Sequence, residues 1–191
     1  MEQNELYPIF LKTSQLETLI VGGGFVALEK LSFLLKSSPN SKVTMVSPFF
    51  RDETKELANK FGIKMIEDNY DPKYLSNKHI VIATTDKTDV NIEVYSHCKT
   101  QNILVNVADN PPYCDFYMGG IVTKGNVKIA ISTNGKSPTT AKRLRQFFEE
   151  VIPENIDDFV KNLNTYRKTI KGNFEEKVEK LNEFTKSLIE K

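Results

Sequence analysis

The chain has 191 residues, 39% of them hydrophobic and 27% charged, and its 26 basic and 25 acidic side chains leave a formal net charge of +1. A chain of this size buries roughly 70% of its unfolded surface, and its apolar content excludes a disordered or fibrous class. The balanced charge argues against a nucleic-acid partner.

Strand-like and helix-like segments alternate from the N-terminus. Glu17 to Val21 is short, β-branched and apolar, and runs straight into Gly22-Gly23-Gly24. Phe25 to Lys36 then carries apolar residues at helical spacing, and Ser38-Pro39-Asn40 ends the helix. Lys42 to Ser47 reads as a second strand, broken by Pro48. Asp52 to Phe61 reads as a helix closed by Gly62, and Lys64 to Glu67 as a third strand. His79 to Thr85 is a fourth strand, Val90 to Lys99 a helix and Ile103 to Ala108 a fifth strand. Alternation at this pitch predicts βαβ units and a parallel sheet, with near-continuous apolar strands covered on both faces.

The pattern changes after Asp109. Asn110-Pro111-Pro112 marks a loop. Phe116 to Val122 and Val127 to Thr133, joined by Thr123-Lys124-Gly125-Asn126, predict an antiparallel hairpin. Ser137-Pro138 starts a helix that runs to about Val151, before Pro153. Two amphipathic helices follow, the first with apolar positions from Phe159 to Ile170 and the second from Phe174 to Leu188. Their narrow apolar stripes predict packing on the body or on a second subunit.

The spacing Gly22-x-Gly24-x-x-Ala27, set between a strand and a helix, is the informative motif. Gly22 permits a sharp turn, Gly24 lets a pyrophosphate approach the backbone, and Ala27 lets the helix pack close to the sheet. The free N–H groups and positive end of the helix would then hold the phosphates. The second strand ends in Val46-Ser47-Pro48 with neither the carboxylate that grips a ribose 2′-hydroxyl nor an Arg for a 2′-phosphate, although Arg51 and Asp52 follow soon after. On these residues alone the choice between NAD and NADP stays open. Thr84, Thr85 and Asp86 end the fourth strand and Asn91 opens the next helix, where hydroxyl and amide groups can meet the cofactor's riboses; the plainer role for Asp86 is helix capping.

Several expectations are negative. No apolar run approaches the roughly 20 residues of a membrane span. Met1 to Glu5 lacks the charged and apolar regions of a secretory leader. Cys98 and Cys114 are not a CxxC pair, so two reduced thiols in a cytoplasmic protein are expected. His79 and His97 fit no ligand spacing, and no resident metal is expected.

These motifs occur in one order: Val21-Gly22-Gly23-Gly24-Phe25-Val26-Ala27, Val43 to Pro48, Ala83-Thr84-Thr85-Asp86 with Asn91, Asn106-Val107-Ala108-Asp109, and Ile129 to Pro138. Together they resemble the sirohaem synthase N-terminal family over roughly residues 6–150, and Tyr7-Pro8-Ile9-Phe10 looks like that family's opening. The resemblance implies an α/β fold: a Rossmann-like parallel-sheet domain (1–112), a small α+β dimerisation region (113–150) and a helical C-terminal region (151–191). It implies NAD-dependent oxidation of the tetrapyrrole precorrin-2 to sirohydrochlorin, in some members ferrous iron insertion as well, and a homodimer. Cofactor contacts carry onto Phe25, Val26, Pro48 and Phe49, and the essential aspartate onto Asp109. Phe25 departs from the Asp often found there, and Thr133 takes the position of a regulatory serine in some fused members.

Precorrin-2 is rich in carboxylates. Ser132, Thr133, Asn134, Gly135 and Ser137 lead into a helix whose N–H groups can receive one of them, with Lys136, Lys142, Arg143 and Arg145 adding positive charge. Fused relatives continue into a methyltransferase domain. This sequence stops at Lys191, so no methylation of uroporphyrinogen is expected. Two other readings stand beside this one: a dehydrogenase without chelatase activity, and a nucleotide-sensing Rossmann regulatory module.

Overall fold

The computed structural model describes residues 3–186. Met1, Glu2, the expected apolar position Leu188 and the terminal Lys191 lie outside them. By its internal contacts the chain divides into two units. The first runs to Gly119 and takes in Ser132–Ser137; the second comprises Gly120–Ile131 and the chain from Pro138 onward.

The first unit is a five-stranded parallel sheet in the order β3-β2-β1-β4-β5. Its strands are β1 (Glu17–Val21), β2 (Lys42–Ser47), β3 (Lys64–Glu67), β4 (Ile80–Ala83) and β5 (Leu104–Val107), and its helices are α1 (Phe25–Ser37), α2 (Asp52–Lys60) and α3 (Thr88–Thr100). Short 3₁₀ turns at Pro72–Leu75 and Pro111–Tyr113 complete the connections. The fourth and fifth strands are shorter than the apolar runs predict, because ladder pairing covers only Ile80–Ala83 and Leu104–Val107.

Side chains alternate across a strand, and that alternation builds two cores. Leu19 and Val21 of β1 face one side with Val81, Ala83, Val105 and Val107, against Val94 and Cys98 of α3. Ile20 faces the other with Met45 and Ile82, against Ala27, Leu31 and Leu35 of α1 and Ala58 of α2. The α1 positions fall at i, i+4 and i+8, one stripe of a helix. Each fully buried side chain of this size contributes roughly 1.5–3 kcal/mol. The sheet order reverses between β1 and β4, and ligands of such sheets bind outside the strands' carboxyl ends at that point.

The second unit begins with a hairpin of β6 (Gly120–Lys124) and β7 (Val127–Ile131). The strand runs predict a four-residue link, but Lys124 pairs with Val127 and leaves only Gly125-Asn126 as the turn. Gly125 sits at φ +57, the conformation a glycine-first two-residue turn needs. The first hairpin strand also starts later than Phe116. The Asn106 Nδ2 donates to the Phe116 carbonyl, and Phe116 and Met118 pack on the sheet's core, so that segment belongs to the first unit. Three helices follow: α4 (Pro138–Val151), α5 (Ile156–Thr169) and α6 (Phe174–Thr185). Asn173 and Glu176 form a reciprocal capping box at the start of α6. Among the described residues, no helix is long and apolar enough to cross a membrane.

Candidate dinucleotide site

At the carboxyl ends of β1, β2 and β4 lies a cavity of about 590 Å³. Its floor is the glycine turn. Gly22 adopts φ +125, and a Cβ there would strike the Thr84 hydroxyl, which is itself occupied in donating to the Val21 carbonyl at 2.8 Å. A Cβ on Gly23 would strike the Phe49 carbonyl. The Gly23 carbonyl accepts from the Arg51 N–H (3.0 Å) and the Thr54 hydroxyl (3.2 Å), tying the turn to the start of α2. Gly24 differs from both. It is the N-cap of α1, a Cβ placed on it would meet no atom within 4 Å, and no side chain caps the helix. The first turn of α1 carries no acid. Free amides at a helix start, reached over a residue without a side chain, form a pyrophosphate cradle, so the residues present fit a bound dinucleotide.

Most of the sequence-assigned cofactor residues line this cavity. Gly22, Gly23, Gly24, Phe25, Val26, Pro48, Phe49, Thr84, Thr85 and Asp86 all do. Asn91 does not. It is buried at the start of α3 with its amide committed on both sides: Oδ1 accepts from the Thr85 N–H (3.2 Å) and hydroxyl (2.8 Å), and Nδ2 donates to the Thr85 carbonyl (2.9 Å). It positions Thr85 at the rim. The side chain of neither Asp86 nor Thr88 caps α3, whose N-cap is Lys87.

Sequence reasoning did not assign Ser47, Arg51, Asn69, Tyr70, Lys87, Val90 or Glu93, all of which line the cavity. Val90 and Glu93 stand three apart on α3, a same-face spacing that could have found them. Tyr70 arrives from the loop after β3. Burial pushes its phenol upward, so it stays protonated, and its hydroxyl meets His97 Nδ1 at 3.2 Å. His79 Nδ1 accepts from the Glu17 N–H (3.0 Å). Both histidines thus make local structural bonds. The two cysteines are free thiols, and burial pushes Cys98 up to about 12.

Asp109 lies two residues beyond β5, exposed, at φ +58. It does not line the dinucleotide cavity, and among the described residues its carboxylate makes no hydrogen bond or ion pair. Ser132 to Ser137 form a self-bonded loop. The Ser132 hydroxyl accepts from the Asn134 N–H, and the Thr133 hydroxyl accepts from the Ser137 N–H and donates to its carbonyl. Asn134 and Gly135 both take positive φ. On α4, Arg145 is bonded to Glu149 and Arg143 to Gln146. Among the described residues no cluster of His, Cys, Asp or Glu could hold a metal ion.

Residues 9–120 match the family described as "Putative NAD(P)-binding", and residues 124–150 match the family described as "Sirohaem biosynthesis protein central". The siroheme synthase of Pseudoalteromonas atlantica is 36% identical over 170 residues, which is 89% of this chain and 36% of that protein. The siroheme synthase of Pseudoalteromonas translucida is 38% identical over 167 residues, 87% of this chain and 35% of that protein. The chain thus spans about a third of the length of these curated relatives. Among solved structures, SirC, a precorrin-2 dehydrogenase, superposes with a TM-score of 0.76 at 23% identity, covering 93% of this chain and 88% of that one.

Proposed function

The chain belongs to the sirohaem synthase N-terminal family, and on that footing we propose that it oxidises precorrin-2 to sirohydrochlorin with NAD as the oxidant. The observation that carries this reading is the open Gly24 cradle at the head of a helix whose first turn carries no acid, facing a cavity large enough for a dinucleotide.

The reaction removes one hydride and one proton from the macrocycle. When bound, the nicotinamide supplies the hydride acceptor. The protein supplies the rest. Backbone amides at the start of α1 bind the pyrophosphate, and Thr84, Thr85 and Asp86 form the rim. Asp109, an exposed and unpaired carboxylate past the end of β5, takes the proton. In the Ser132–Ser137 loop, donors not used within the loop, the Ser132 hydroxyl and the Gly135 N–H, would receive the substrate's carboxylates.

The same reading includes the organisation into a dinucleotide-binding part (1–112), a dimerisation part (113–150) and a helical part (151–191), acting in the cytoplasm as a homodimer. Ferrous iron insertion into sirohydrochlorin would use Asp109 as well, with iron as a substrate. An assay with sirohydrochlorin and ferrous iron but no NAD isolates that step, and a rate equal to the spontaneous one removes it. The principal test is to mix the protein with NAD and precorrin-2. Reduced nicotinamide and sirohydrochlorin should appear in equal amounts. NAD binding without turnover would favour the nucleotide-sensing module instead.

A further inference from the structure

The cavity's flank along β2 has a charge arrangement that the family match does not assign. Pockets selective for NAD place a carboxylate at the end of the second strand, to hold the ribose 2′-hydroxyl. Here β2 ends at Ser47, whose hydroxyl donates to the Phe49 carbonyl at 2.6 Å. The two acids that do line the cavity, Asp86 and Glu93, come from the loop after β4 and from α3. On the β2 flank the charged lining residue is Arg51.

Arg51 is fixed at its backbone by the bond to Gly23, and its guanidinium lies over the Phe25 ring, 3.5 Å from the centroid. Two of its features leave it ready for an anion. Among the described residues its Nη1 makes no hydrogen bond and its Nη2 only the one to Glu53, so the Nη edge is the part of the guanidinium open to a ligand, while Nε is buried. Its ion pair is to Glu53 at 3.0 Å, whose side chain is 55% exposed, and pairs so open to solvent are weak. A guanidinium presents a planar fork that matches phosphate oxygens two at a time, and stacking on an aromatic ring holds that plane in place.

We propose that Arg51, braced on Phe25, receives a ribose 2′-phosphate, so that the cavity takes NADP as well as NAD. This rests on the dinucleotide reading of the cavity and adds a specificity residue to it. Ser47 leaves room for either substituent, because it brings no negative charge to repel the phosphate.

The test is calorimetric titration of NAD and of NADP into the full chain, wild type and Arg51→Gln. NADP should bind within ten-fold of NAD to the wild type, and a larger deficit overturns the proposal. In Arg51→Gln the ratio of NADP to NAD affinity should fall at least five-fold; a smaller change overturns it. Should Arg51→Gln fail to fold by circular dichroism, Arg51→Lys serves in its place. It keeps the charge without the fork, and the ratio should still fall at least two-fold; an unchanged ratio overturns the proposal. Binding of neither dinucleotide would overturn the cavity reading itself, an outcome distinct from NAD binding alone.

Discussion

At the scale of single residues, the three glycines divide their labour, and substitutions separate it. Gly24 has ordinary φ and open space around it, so Gly24→Asp should fold. Aspartate is also a better N-cap than glycine by a few tenths of a kcal/mol, which raises Tm by about 1 °C. Yet the new carboxylate would stand where the pyrophosphate binds, and NAD affinity should fall at least 100-fold by titration. Gly22→Ala should do the reverse kind of damage. Positive φ and the collision with Thr84 make it destabilising by about 2–4 kcal/mol in denaturant melts. Asp109 invites a cleaner change. Its φ of +58 is one that asparagine also tolerates, so Asp109→Asn removes the charge without straining the turn. Turnover of precorrin-2 should drop at least about 100-fold while NAD still binds. The glycine spacing and Asp109 were legible because their meaning is local. The Arg51–Phe25 stack was not, because it joins residues 26 apart in sequence.

At the scale of elements, the first three strands fall where the apolar runs predict them, since each run coincides with its ladder partners. The hairpin was less legible, because its start is set by the distant Asn106 amide and its turn by Asp157 on α5. Asp157 Oδ1 accepts from both the backbone N–H and the side-chain amide of Asn126 at 2.7 Å, and Oδ2 pairs with Lys161 at 2.6 Å. Those bonds, the Lys161 one foremost, lower its pKa from 3.8 to about 2. The depressed value means that the charged form favours the folded turn. Its contribution is whole above pH 4 and is lost as the pH falls through about 2. Amide signals of Gly125 and Asn126 followed by NMR should therefore shift between pH 4 and pH 2, and Asp157→Asn should remove that transition.

For the whole molecule, the sequence conveys the sheet, the cradle and the family, because each follows from a contiguous pattern. How copies associate depends instead on what stays uncovered. On α4, Leu144, Phe147 and Val151 are exposed at i, i+3 and i+7, a continuous apolar stripe. The proposed homodimer would cover it. Analytical ultracentrifugation should find a dimer for the wild type and a monomer for Phe147→Glu. A Phe147→Glu chain that remained dimeric would place the contact elsewhere.

The Gly23 carbonyl receives donors from both Arg51 and Thr54, so the floor of the phosphate cradle and the first turn of α2 are one mechanical piece. A shift of the glycine turn would therefore pass to the first turn of α2 without any hinge between them. Replacing Thr54 by a residue with no hydroxyl would remove one of the two bonds that join them, although that side chain is wholly buried and does not line the cavity.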